Sequence, residues 1–191
     1  AGIENNLASE GLEANSIKTC ITDLMQQSAQ SLLQLVGAIG YRLDHFAGRA
    51  VVDSRPFQIF EGSNDILYAQ ITESLLKQMK VAKEKNLFRY LKSFALTIHS
   101  GSYFEKLLDF EMNPAMSQRK SIQMGQLISR VVVMDMVLRL GDRGFSKGLI
   151  TGCLTTLQQE VSTRVADYSF ENRTGLIDLE KDQPSWRNYC M

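Results

Sequence analysis

The stretch from Ser117 to Leu140 constrains the fold of this chain more than any other. Ile128, Val131, Val132, Met134, Val137 and Leu138 follow one another at helical spacing and cover most sides of the helix they imply. A helix apolar on most sides needs other helices around it, so this one is expected to be central. The same period predicts its neighbours. Ile17, Cys20, Ile21, Leu24, Met25 and Leu32 repeat at i, i+3, i+4 behind the cap-like Asn15-Ser16, in a helix ending near Gly37. Further long helices are expected over 64–83 and 145–168, the last with Leu149, Ile150, Cys153, Leu154, Leu157, Val161 and Val165 on its inner face. Shorter pieces are expected over 43–53, stopped by Pro56, and over 87–97, and Ser102 and Glu105 stand at capping-box spacing. The fold class is therefore all-α, a helical bundle without a sheet, packed as two bundles or one extended bundle.

Composition narrows the function classes. At 191 residues and 44% hydrophobic, the chain can hold one large or two small cores. Lys+Arg and Asp+Glu are 21 each, so no net field draws it to nucleic acid. The run Leu127 to Leu140 is interrupted by Arg130, Asp135 and Arg139 and is shorter than a bilayer span, so no transmembrane segment is expected. Cys20, Cys153 and Cys190 show neither CxxC nor zinc-ligand spacing and suggest free thiols in a reducing, cytoplasmic compartment. His45 and His99 have no partner at ligand spacing, so no metal site is expected. Lys77, Lys80, Lys83 and Lys85 suit a solvated helix end, and the methionines of the second half suit core filling. Residues 1–14 and the chain from Glu171 read as loose polar ends, and the start at Ala1 suggests an interior piece of something longer.

One segment has the look of a site. Glu61 follows the apolar Phe57, Ile59 and Phe60 and precedes Gly62, which can take backbone angles closed to other residues. Ser63, Asn64 and Asp65 then offer side-chain oxygens for a helix start, with Ile66, Leu67 and Ile71 behind at helical spacing. Apolar surroundings favour proton uptake by a carboxylate, as a general base requires, while the dipole of the helix start opposes it. Upstream, Gly37 and Gly40 in Gln34-Leu-Val-Gly-Ala-Ile-Gly-Tyr41 bracket a turn.

Together these two segments resemble the acyl-CoA dehydrogenases. Gln58-Ile-Phe-Glu61-Gly62-Ser63-Asn-Asp65-Ile66, with Asp53 eight positions before the Glu, is similar to that family's catalytic segment, and residues 34–41 are similar to its Gln-x-x-Gly-Gly-x-Gly-aromatic turn. Lys18 and its helix also fit. The resemblance covers residues 15–85 and implies two regions, a partial C-terminal helical domain over 1–86 and an additional helical region over 87–191. It implies that Glu61 is the base that takes the α-proton of an acyl-CoA thioester while the β-hydride leaves to flavin, and that its backbone amide polarises the thioester carbonyl. Phe60 and Gly62 would meet the substrate. Ser63 and Asp65 would touch the FAD of the same subunit, and Gln34, Gly37 and Ala38 that of a neighbouring subunit in a homo-oligomer. An electron-accepting flavoprotein is a further implied partner. Three departures stand out: Ala38 replaces the family's second Gly, Val52 stands where many relatives have Arg, with Arg49 or Arg55 nearby instead, and some relatives keep their base on a different helix. The largest is that the family's other domains, with most flavin and CoA contacts, are absent, so the FAD site is incomplete and the fragment is not expected to turn over alone. The alternative is a non-catalytic module of the same ancestry, whose extra helices after Asn86 serve oligomerisation or docking and whose site is vestigial.

Overall fold

A computed structural model of the chain describes residues 11–42 and 44–169. The expectations for residues 1–10, Leu43, the chain from Glu171 and Cys190 lie outside that range. Within it are helices α1 (Gly11–Val36), α2 (Phe46–Ser54), α3 (Asn64–Ala82), α4 (Leu87–Ser93), α5 (Glu105–Leu108), α6 (Gln118–Asp142) and α7 (Lys147–Ser169), with 3-10 turns at Gly37–Tyr41, Arg55–Gln58 and Gly101–Phe104. Among the described residues there is no strand, only an isolated bridge between Asn86 and Glu111. The all-α expectation holds.

Helix α6 is the centre, as its apolar pattern requires. It packs along α1, α3 and α7, and Met124, Leu127, Ile128, Val131, Val132 and Met134 are all buried. Its closest approach to α3 depends on a missing side chain: a Cβ on Gly125 would stand 2.0 Å from the carbonyl oxygen of Tyr68. One hydrophobic cluster takes Leu12 from α1, Ile71, Leu75 and Met79 from α3, Leu87 and Leu91 from α4, and Leu157 and Val161 from α7, so elements on both sides of residue 86 share it. The buried Met112, Met124 and Met134 fill this core as expected. At 25 residues α6, longer than the Leu127–Leu140 run, is long and apolar enough to cross a bilayer by length and composition alone, and 56% of its most apolar 18-residue window is buried among the other helices.

Several ends differ from their sequence expectations for local reasons. Helix α1 is already formed at Gly11, because Leu12 is a core residue and the Ser16 hydroxyl donates back to the Leu12 carbonyl at 2.7 Å instead of capping. Helix α2 stops at Ser54, ahead of Pro56 as expected, although it starts at Phe46 and Pro56 then lies in the first turn of the 3-10 helix Arg55–Gln58. His45 caps α2, its Nδ1 accepting from the Ala47 amide at 3.2 Å. The Ser102–Glu105 capping box does not form, since the Ser102 hydroxyl donates to the His99 carbonyl. Asp135, fully buried on α6, accepts from the backbone amides of His99 and Ser100 at 2.8 and 3.0 Å and so holds that segment. Helix α7 keeps only Leu157 and Val161 fully inside, while Leu149 faces solvent. Asn86 and Ser117 cap α4 and α6 as Asn and Ser do at helix starts.

Candidate active site

Glu61 lies in the short connection between Arg55–Gln58 and α3, and its backbone is left-handed, φ 58°. Only one other non-glycine described residue, Lys83, has positive φ. Gly62 follows at φ 100°, so two successive residues hold angles that L side chains rarely adopt. For Glu61 that geometry is strained and persists only where the surroundings hold it. The side chain is exposed, immediately ahead of the first turn of α3.

Both stems of this loop are tied to α1. Before Glu61, the Gln58 amide donates to Asp23 Oδ1 at 2.9 Å, and Gln58 is itself oriented by Arg55, whose Nη1 donates to its Oε1 at 2.7 Å. After Glu61, the Asn64 amide donates to the same Asp23 Oδ1 at 2.7 Å and to the Thr22 hydroxyl at 3.0 Å. Lys18 Nζ donates to the Gly62 carbonyl at 3.0 Å and to Asn64 Oδ1 at 2.8 Å. Asn64 is thus turned inward as a buried anchor, and Ser63 occupies the cap position without a side-chain capping bond. Burial pushes the Lys18 ammonium below its ordinary value, with the charges of Asp23 and Glu61 pulling the other way.

The second oxygen of Asp23 faces the bundle interior. It accepts from the Tyr68 hydroxyl at 2.5 Å and from Arg130 Nη2 at 3.0 Å. Arg130, from α6, is 1% exposed and also donates to Tyr68 Oη at 2.6 Å and to Glu160 of α7 at 3.0 Å. Burial alone would raise the Asp23 carboxyl, yet hydrogen bonds from Tyr68, Arg130 and Asn64 and the Arg130 charge hold it below the usual carboxylate range. Burial, with help from Asp23, pushes the Tyr68 hydroxyl up to about 12, so it remains a donor at neutral pH.

The apolar enclosure expected around Glu61 is not supplied by the described residues. Phe57, Ile59 and Phe60 all face solvent, Phe60 at 67% exposure. The exposure reflects how the loop is held: its polar stems point into the bundle, which turns the intervening apolar side chains out.

The Gln34–Tyr41 turn stands apart from Glu61. Lys18, which anchors the loop, and Gln34 are sixteen residues apart on one helix, roughly 24 Å along its axis. The fold therefore brings together Phe60, Glu61, Gly62, Ser63 and Asp65, and separately Gln34, Gly37 and Ala38. In the turn the positive φ, 72°, falls on Gly37, and Ala38 is exposed with ordinary φ, so its methyl adds no backbone strain. A Cβ on Gly37 would meet nothing within 4 Å, which leaves that backbone open to close approach. Such an open turn, and a helix start whose Ser63 hydroxyl is not used in capping, fit the edge of an anionic dinucleotide. They would supply only part of a binding site.

Asp23, Tyr68 and Arg130 were not singled out from the sequence. The usable signal was Arg130 itself, a full charge inside the most apolar helix, which implies a buried counter-charge.

Comparison with known families bears on this geometry directly. Residues 2–76 match the model for "Acyl-CoA dehydrogenase, C-terminal domain". Residues 2–76 are thus similar to an acyl-CoA dehydrogenase C-terminal domain. The match takes in both the Gln34–Tyr41 turn and the Glu61 loop, and it ends inside α3. No curated protein and no solved structure matches the chain significantly. Arg130 and Glu160, which complete the polar network under the Glu61 loop, thus lie beyond the acyl-CoA dehydrogenase match.

Proposed function

We propose that this chain contributes the general base to flavin-dependent α,β-dehydrogenation of an acyl-CoA thioester, and that Glu61 is that base. The observation that carries the reading is the Glu61 backbone, left-handed and anchored on both sides, which presents a carboxylate to solvent at the family's catalytic segment. An α-proton is too weakly acidic for a carboxylate unless charge developing on the thioester oxygen is met by positioned donors. The Glu61 backbone amide is one such donor, and Phe60 and Gly62 flank the place where substrate would lie. Ser63 and Asp65 would hold FAD on one side, and Gln34, Gly37 and Ala38 that of a neighbouring copy. Bound FAD supplies the hydride acceptor. An electron-accepting flavoprotein and a cytoplasmic setting complete the proposal.

The test is Glu61→Gln in the flavin-loaded protein, with flavin bleaching followed by stopped flow over a panel of acyl-CoAs. The variant keeps shape and hydrogen bonding but loses the proton acceptor, so substrate should bind while flavin reduction slows by about a hundredfold or more. Reduction as fast as in the parent would place the base elsewhere. A docking role is favoured by one observation, the exposure of Leu35, Tyr41 and Val52 on the matched domain. It predicts a protein that purifies without flavin.

A further inference from the structure

We propose that Asp23 is the positioning residue of the Glu61 loop, and that Arg130, from the helical region beyond the family match, is what holds Asp23 to that task. This rests on the reading of Glu61 as the base and adds what keeps it in place.

The strained pair Glu61 and Gly62 makes no backbone–backbone hydrogen bond among the described residues, whereas its neighbours on either side do: Phe60 N donates to Pro56 O and Leu67 N to Ser63 O, at 2.9 and 3.0 Å. The loop is therefore fixed through side chains. Gln58, three residues before Glu61, and Asn64, three residues after it, both donate to the single oxygen Asp23 Oδ1. One carboxylate oxygen thus sets the separation of the two stems, and Lys18 closes the loop from the same helix by binding Gly62 O and Asn64 Oδ1. A carboxylate on an otherwise unpartnered side chain would swing between rotamers. Asp23 is prevented from doing so because Tyr68 and Arg130 occupy its other oxygen, and Arg130 is locked in turn by Glu160 on α7. Asp23, Arg130 and Glu160 alternate in charge, so each of these three ions has an opposite neighbour, and Lys18 joins them through the neutral side chain of Asn64. The region after residue 86 thereby reaches the loop through buried contacts, without touching substrate.

The experiment compares Asp23→Asn, Arg130→Lys and the peripheral Gln58→Met with the parent, reading 15N order parameters at Glu61 and Gly62 and the KM and kcat of the flavin-loaded protein. Asn cannot accept from both sides as a carboxylate can. We expect Glu61 and Gly62 to fall from the rigid range near 0.85 to below about 0.6 in Asp23→Asn and Gln58→Met, with the order parameters of α4 unchanged. The kcat should fall at least tenfold and KM stay within twofold, the pattern of a lost transition-state geometry. Glu61→Gln, by contrast, should leave the order parameters alone. A fall in order without any effect of Glu61→Gln on turnover would sink the base assignment while leaving the clamp standing. Order parameters at 61 and 62 equal to those of the parent in folded Asp23→Asn or Gln58→Met, whatever their thermal stability, would overturn the clamp. If Asp23→Asn does not fold, Gln58→Met, which removes one half-buried tether, decides the matter alone.

Discussion

At the scale of single residues, the buried Asp23–Arg130 pair dominates the electrostatics. Burial opposes the charge of both, and each remains ionised because the other, with Tyr68, compensates it. The Asp23 carboxyl titrates lower in the fold than in the unfolded chain. Its contribution to stability is complete above about pH 4, the ordinary carboxyl value, and is lost as pH falls through the lower value of the folded state. We expect Asp23→Asn to cost about 3 kcal/mol at pH 7 by leaving Arg130 with Glu160 alone, and to flatten the acid limb of the stability curve below about pH 4. Urea unfolding at pH 7 and at pH 3 measures both. Equal losses at the two pH values would mean that the Asp23 charge is not what stabilises. Cys20 is a contrasting case: burial pushes its thiol up, so it should resist alkylation while the protein is folded.

At the scale of elements, the α3–α6 crossing is set by Gly125. A methyl there would overlap the backbone of Tyr68, and backbone cannot rotate away as a side chain can. Gly125→Ala should therefore destabilise by about 1–3 kcal/mol and, because Tyr68 belongs to the polar network, loosen the Arg130 contacts as well. Gly152→Ala in α7 is the matched control. A Cβ at Gly152 meets nothing within 4 Å, so the change should stabilise by about 0.5–1 kcal/mol through helix propensity alone. Thermal unfolding of the two variants side by side checks the pair of signs. The contrast also explains why glycines that look alike in sequence differ in consequence.

At the scale of the whole molecule, the exposed apolar side chains concentrate where the family match lies. Leu35 at 85%, Tyr41 at 76% and Val52 at 70% exposure join Ile39, Phe46, Phe57 and Phe60 on the end of α1, the Gly37 turn, α2 and the Glu61 loop. Helix α3 spends Ile71, Leu75 and Met79 on the core shared with α6. The surface available for association is instead this apolar group. A patch of that kind seeks cover from water, and we expect a dimer or larger species by sedimentation at tens of micromolar, roughly where weak interfaces form. Tyr41→Glu with Val52→Glu should shift it to monomer without loss of helicity. A clean monomer of the parent at that concentration would count against the expectation.

Helical class, the central place of α6, the Gln34–Tyr41 turn and the Glu61 loop were determined by the sequence alone. Each depends on spacing or on residues adjacent in the chain, and such local chemistry survives without knowledge of neighbours. The early start of α1 and the unused Ser102 box were not legible, because packing of Leu12 and competition from the His99 carbonyl outweigh cap preference. The solvent exposure of Phe60 was missed because it depends on which way the loop is anchored. The Lys18–Asn64–Asp23–Arg130–Glu160 chain could be decided only by tertiary structure. Asp23 and Arg130 are 107 residues apart, and a charge in a sequence shows that a partner is needed but not which residue the fold will bring to it.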